Sequence, residues 1–319
     1  MIIKITKKTA GIRLDKFLAG ASLIWNKQAL SRSRIQNLIK QNIIKINGLP
    51  AVSHYWLKPS DMINIQKRRL RDNQPAKKNV SAELSHEIKI IAETDEFLVV
   101  NKPAGLAAHG TTGYTLADWL KNKYPTIKTV GDDPARPGIV HRLDKDVSGL
   151  MVIAKTTASF ERLKKQFQTR TVIKEYTALV HGQIQKDSGL INFPIKRSRE
   201  GYKMAALPLT LRGEPATDGR LAETEFRVIA KLINYTLLKL KIRTGRTHQI
   251  RVHLAAYDHP VVGDNVYGTA KTRTQNRKLD LKRIFLMADH LCFNDSNNQP
   301  RDFKIDLTEE LKNILKVVK

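Results

Sequence analysis

The segment HRLDKDVSGL, residues 141 to 150, crowds two cations (Arg142 and Lys145) and two carboxylates (Asp144 and Asp146) with a serine and a glycine. It stands just before a run, LMVIAKT, that reads as a strand. Polar density at the mouth of a strand suits an active-site loop, although by residue type alone an ordinary charged turn is the commoner reading. The chemistry open to it is that of a carboxylate, which is ionised at neutral pH and can attack an electrophilic carbon or accept a proton. Metal chemistry has no comparable footing. The nine histidines form no HExxH, there is no CxxC, and His248 and His253 are five residues apart, wrong for two ligands on one helical face. The only cysteine, Cys292, rules out an internal disulfide and sits in the apolar run LMADHLCF, where a buried bystander is expected.

Charge indicates what such a loop would meet. The 319 residues carry 56 Lys and Arg against 30 Asp and Glu, a net +26, and a polyanion is the leading explanation. The excess is uneven: residues 1 to 80 hold 17 basic and 3 acidic side chains, more than half of the surplus in a quarter of the chain. The opening MIIKITKKTAGIRLDKF lacks the long apolar core of a signal peptide, and no run approaches the roughly 18 apolar residues of a membrane span. A soluble, cytoplasmic protein without a membrane partner is the expectation.

Two regions must position these groups. KRRLRDNQPAKKNVSAELS is polar, charged and aperiodic, which predicts a linker over residues 68–86 between a small unit at 1–67 and a larger one at 87–319. In the small unit, helices are predicted near Leu14 to Ala21 and from Ser31 to Gln41, where Ile35, Leu38 and Ile39 recur at helical spacing and Arg32, Arg34 and Lys40 make the outer face basic. IIKINGLPAV then predicts a hairpin turning at Asn47 and Gly48. In the larger unit FLVVNKP, LMVIAKT and KEYTALVHG read as strands. TASFERLKKQFQTR reads as an amphipathic helix through Phe160, Leu163 and Phe167. Two strands flank Asn234, and THQIRVHLAAY reads as a helix after a turn. The fold class that follows is α+β, with a large, mainly antiparallel mixed sheet and flanking helices.

HRLDKDVSGL resembles the signature HRLDxxTSGL of the RluA family of pseudouridine synthases. VVNKPAGLAAH (99–109), KEYTALVHG and RTGRTHQIRVHLAAYDHPVVGDNVYG match further segments of that family in order, across some 170 residues. The sequence departs at Val147, where the family usually has threonine; the change removes a hydroxyl beside the loop. Residues 11 to 67, with RLDKFLA, SRSRIQNLIKQNIIKINGLPA and LKPSDMINI, resemble an S4 RNA-binding domain of the α-L type.

The resemblance implies a stand-alone RNA isomerase. It makes Asp144 the catalytic carboxylate, puts Tyr176 against the uracil ring, pairs Arg251 with Asp144, and gives Arg142 the space a displaced nucleotide leaves. His141 and His248 become loop supports or RNA contacts and not general bases. Arg246, Lys102, Arg32, Arg34 and Lys40 join the RNA-contacting set, while Asp146 is a solvated or structural carboxylate. Nothing is oxidised and nothing leaves in converting uridine to pseudouridine, so no cofactor is expected. The implied partner is large-subunit (23S) ribosomal RNA, met by a monomer. Within the family the segments NKPAGLAAHGTTGY and RIFLMADHLCF look nearest to the ribosomal large-subunit synthase C group, with the D group next. A non-catalytic S4-bearing ribosome-assembly factor would not need Asp144, Tyr176 and Arg251 together, and a nuclease would want a metal-binding carboxylate cluster or a histidine pair.

Overall fold

The computed structural model describes residues 2–7, 9–20, 24–25, 28–29, 35–36, 38–39, 42–65, 88–110, 113–198, 203–206 and 219–318. The chain divides into two compact units, Met1–Ala76 and Lys77–Lys319. The linker expected at 68–86 lies outside the described residues, as do Arg32, Arg34 and Lys40.

In the first unit, β1 (Ile2–Lys4) precedes α1 (Leu14–Gly20), which buries Leu14 and Leu18 one turn apart. Two-residue strands β2 (Ile24–Trp25) and β3 (Gln28–Ala29) pair with each other. Then come β4 (Ile44–Ile46), β5 (Leu49–Pro50) and β6 (Met62–Ile65), and the four-stranded sheet runs β1-β6-β4-β5. Asn47 and Gly48 link β4 to β5 with φ of 52° and 80°. Both central residues thus take the left-handed conformation that a two-residue hairpin of matching twist requires. The Asn47 side chain donates to Asp61 and accepts from the Met62 N–H, tying the turn to β6. Ile35, Leu38 and Ile39 are buried in the unit's core, as their spacing predicts.

The second unit is built on nine strands: β7 (Lys89–Glu93), β8 (Phe97–Lys102), β9 (Ser148–Ala154), β10 (Ile173–His181), β11 (Ser188–Ile191), β14 (Thr224–Lys231), β15 (Tyr235–Ile242), β16 (Leu286–Asn294) and β17 (Pro300–Lys304). A separate ribbon pairs β12 (Ile195–Arg197) with β13 (Met204–Ala206). The sheet order is β11-β14-β15-β10-β16-β9-β8-β7, with β17 beside β16. Every pairing is antiparallel except that of β16 with β9. The helices are α2 (Leu116–Lys123), α3 (Thr157–Thr169), α4 (Gln249–Ala256), α5 (Ala270–Lys278) and α6 (Glu309–Val317).

α2 and α3 begin with reciprocal caps, Thr115 with Asp118 and Thr156 with Ser159, each satisfying amides that a helix start leaves open. α3 ends at Arg170, in the left-handed region at φ 62°. Phe160 and Leu163 enter the core, but Phe167 is only partly buried and lines a surface groove. Cys292 is likewise half-buried on β16 and not enclosed.

The one parallel pairing positions the loop singled out in the sequence. Ser148 and Gly149 open β9 opposite Met287 and Ala288 of β16, and Tyr176 of β10 pairs with Ala288 from the other side. A side chain at Gly149, whose φ is +125°, would place its Cβ 2.1 Å from the Ala288 carbonyl oxygen. Only glycine lets the strand leaving the 141–147 loop approach β16 so closely. Val147 is buried, 3% exposed, packing in the core while also lining the cleft that holds Asp144.

Candidate active site

Asp144 lies at the floor of a cleft of about 80 Å³ that Tyr176 and Arg251 also line. Three residues distant in sequence therefore share one small volume. The Asp144 carboxylate retains 17% exposure and so faces the opening. Its nearest cation is Arg251, whose Nη1 is 3.4 Å from Oδ2.

Arg251 is held elsewhere far more tightly. Its Nε and Nη2 donate to the two oxygens of Asp264 at 2.7 and 3.0 Å, a forked pair in which Asp264 is fully buried and Arg251 4% exposed. Asp264 accepts further bonds from the Val266 and Tyr267 N–H groups. Burial works against the Arg251 charge, but the hydrogen bonds and charge of Asp264, with Asp144 behind them, override it and push its pKa up. The guanidinium is thus a fixed positive charge, oriented by Asp264 and presenting its remaining nitrogen to Asp144.

Tyr176 sits on β10 with its ring buried, 6% exposed, at the cleft wall. Burial first, then the negative charges of Asp144 and Asp289, push its hydroxyl pKa up, so the phenol stays protonated. It offers a neutral aromatic face next to a carboxylate.

His248 precedes α4 in a left-handed conformation, φ 55°. Its Nδ1 is 2.8 Å from the Tyr267 hydroxyl, which already accepts from the Met204 N–H. The other ring nitrogen, Nε2, lies 3.9 Å from Asp144 Oδ2. Burial lowers the His248 pKa against the opposing pull of Asp144. Gln249 locks the preceding turn: its Oε1 accepts from Thr244 and the Arg246 N–H, and its Nε2 donates to Glu223 and Thr224.

His141 is spent on structure. Its Nε2 accepts from the Val152 N–H at 3.0 Å and its ring stacks on Phe167 with centroids 4.5 Å apart. Burial, with Lys174 nearby, lowers its pKa to about 3, so it is neutral. Lys102 corrects an expectation. Placed among RNA contacts by resemblance, it is fully buried, and its ammonium donates to the carbonyls of Pro103, Leu106 and Lys145. It cannot reach a ligand; it fastens the 103–106 turn to the Asp144 loop. Burial lowers its pKa to about 7. Asp146 is exposed.

Beyond the cleft runs a groove of about 390 Å³ sharing Arg142, Tyr176 and Arg246 with it. Arg142 is exposed and its Nη1 lies 3.4 Å from His109 Nε2. Arg246 is anchored by Nε to the Leu221 carbonyl. No acidic residue is among those described as lining the groove.

Reasoning from the sequence missed Asp264, Tyr267 and Gln249. The first two lie in GDNVYG, quoted only as part of a longer match; a buried acid whose partner is 13 residues away has no signal in its own neighbours.

Residues 96–256 match the RNA pseudouridylate synthase family. An uncharacterized RNA pseudouridine synthase of Aquifex aeolicus is 38% identical, over 95% of this chain and 92% of its own length. The ribosomal large subunit pseudouridine synthase D of Nitrosomonas europaea is 36% identical over 83% and 72%, and synthase C of Vibrio parahaemolyticus 30% identical over 98% and 95%. Among solved structures, human RNA pseudouridylate synthase domain containing 1 superposes with a TM-score of 0.55 at 25% identity, over 73% of this chain and 95% of that one. The chain belongs to the RNA pseudouridine synthase family of the RluA type and is an isomerase. Among the described residues no helix is long and apolar enough to cross a membrane.

Proposed function

We propose that this enzyme converts uridines of large-subunit (23S) ribosomal RNA to pseudouridine with Asp144 as the catalytic carboxylate. The single observation that carries the reading is the cleft in which Asp144, Tyr176 and Arg251 meet beside a groove with no acid among its described lining residues. Relatives named as large-subunit synthases, C and D alike, align along most of the chain and support that substrate class.

The reaction breaks the bond from ribose C1′ to N1, turns the base, and joins C1′ to C5; the C5 hydrogen leaves as a proton while N1 gains one. A carboxylate can start it by adding to the sugar or by removing a sugar proton. Either route needs the Asp144 carboxylate aimed, and Arg251 flanks it on one side and the His248 imidazole on another. Both need the base out of its stack, at a cost of a few kcal/mol that contact with the Tyr176 face offsets in part. Arg142, exposed at the cleft mouth, fills the gap in the helix.

Replacing Asp144 by Asn keeps the size of the side chain and removes its charge. Pseudouridine formation should vanish, measured by chemical mapping of ribosomal RNA, while RNA affinity stays within a few fold; full activity in this variant refutes the assignment.

The first unit, whose sequence carries Arg32, Arg34 and Lys40 between residues 31 and 41, acts in this reading as an S4-type RNA-binding module. Its removal should weaken binding and flatten the salt dependence more than it slows the chemical step. An unaltered salt slope would count against it.

A further inference from the structure

At the end of the groove away from Asp144, one charged side chain stands apart from all others near the cleft. Lys174 is 9% exposed, yet among the described residues it has no carboxylate and no hydrogen-bond acceptor. Its ammonium lies 5.5 Å from the centre of the Phe167 ring and opens onto the groove. A buried cation without a counterion is costly unless something supplies the missing charge. What surrounds it makes the matter worse. Arg170, at the end of α3, has no acidic partner among the described residues either, and its charge opposes that of Lys174. Arg243 and Arg246 enter from the segment after β15, Arg243 being already paired with Glu225. Across the groove stand His109, Arg136 and Arg142, with Arg136 bound to Asp133. His141, in contact with Phe167, is neutral. No acid faces Lys174 from any of these elements, and the groove is wide enough for a ligand.

We propose that Lys174, Arg170 and Arg246 form a subsite for one backbone phosphate of the RNA, next to the nucleotide whose base lies against Tyr176. The inference rests on the cleft being the uridine site. Lys174 and Tyr176 alternate along β10 and point to the same face, roughly 6 to 7 Å apart along the strand. That is the scale separating a base from a neighbouring phosphodiester. The forked guanidiniums supply planar recognition of the oxygens, and the ammonium a point charge beneath them.

A proton linkage follows. Burial, then Arg170, lower the Lys174 pKa to about 8 in the free enzyme, and a phosphate in the subsite raises it again. Below that value the lysine is charged before RNA arrives. Above it, binding must take up a proton, so affinity falls as pH climbs through 8.

The test uses the full chain and an RNA hairpin containing a target uridine. Lys174→Met should raise KM about tenfold at pH 7 with kcat within about twofold, and should reduce the slope of log affinity against log salt by about 0.7 to 1. Lys174→Arg should restore affinity at pH 7 and abolish the decline between pH 7.5 and 9. Arg170→Ala, at an exposed position, should lower the salt slope similarly and guards against misfolding of the methionine variant. A neutral methylphosphonate at one linkage flanking the uridine should weaken the wild type and not the methionine variant. A fall in kcat at constant KM, a decline with pH that persists in Lys174→Arg, or the lack of any such linkage overturns the subsite. Competition by millimolar inorganic phosphate that no linkage substitution reproduces would assign the pocket to a free anion and overturn it as well. Should the wild type form no pseudouridine in any ribosomal RNA fragment, the uridine-site reading fails instead.

Discussion

Two neighbouring regions of the catalytic unit treat positive charge in opposite ways. Around Arg251 every charge is answered: Asp264 accepts a forked pair, two backbone amides complete Asp264, and Asp144 takes the nitrogen left over. Around Lys174, cations gather without an acid among the described lining residues. On the proposed reading the first arrangement fixes a reacting group in place before substrate arrives, as electrostatic stabilisation of a reaction demands, and the second is left for a polyanion to complete. That reading separates rigid chemistry from salt-sensitive recognition by a few residues of β10.

The sharpest way to break this contrast is to make the Arg251 region resemble the Lys174 region. Asp264→Asn removes a buried countercharge, and losing one partner of such a pair costs about 3 to 5 kcal/mol. Thermal or denaturant unfolding should register that loss, and kcat should fall by at least about tenfold in the folded fraction, because a loosened guanidinium no longer aims Asp144. A stable, fully active variant would mean that Arg251 needs no anchor.

Acid should act next, through His141. Its folded pKa of about 3 lies below its ordinary 6.5, so between these values the unfolded chain binds a proton that the folded one refuses. Stability should be intact above pH 6.5 and drop as pH falls from there toward 3, by up to a few kcal/mol. His141→Gln or His141→Asn should flatten that part of the curve. A wild-type stability constant down to pH 4 would contradict the placement of a neutral imidazole against Phe167.

The smallest effect is expected at Thr156, which caps the helix carrying Phe167 and Arg170 to the groove. Thr156→Ala should cost about 1 kcal/mol in unfolding free energy. It should leave kcat unchanged, since α3 carries none of the groups around Asp144. A large loss of kcat would show that groove and cleft are mechanically one.

Local patterns in the sequence determined a great deal. A short apolar run marked β8, alternation marked β10, two strand-like stretches about Asn234 marked β14 and β15, the spacing of Phe160 and Leu163 marked α3, and Asn47-Gly48 marked a hairpin, because each signal is carried by residues a few positions apart. The ordered segments likewise pointed to Asp144, Tyr176 and Arg251. Tertiary structure alone decided what each polar group faces. Lys102 and Lys174 are both lysines at strand positions beside apolar residues, yet one is wrapped by three carbonyls and the other opens on a groove. Asp264 became the anchor of Arg251 only when the turn after α4 folded back on that helix, and His141 a neutral prop only when its loop met Val152 of β9 and Phe167 of α3. Burial and charge pairing are sums over spatial neighbours, and those neighbours are set by the order of the sheet.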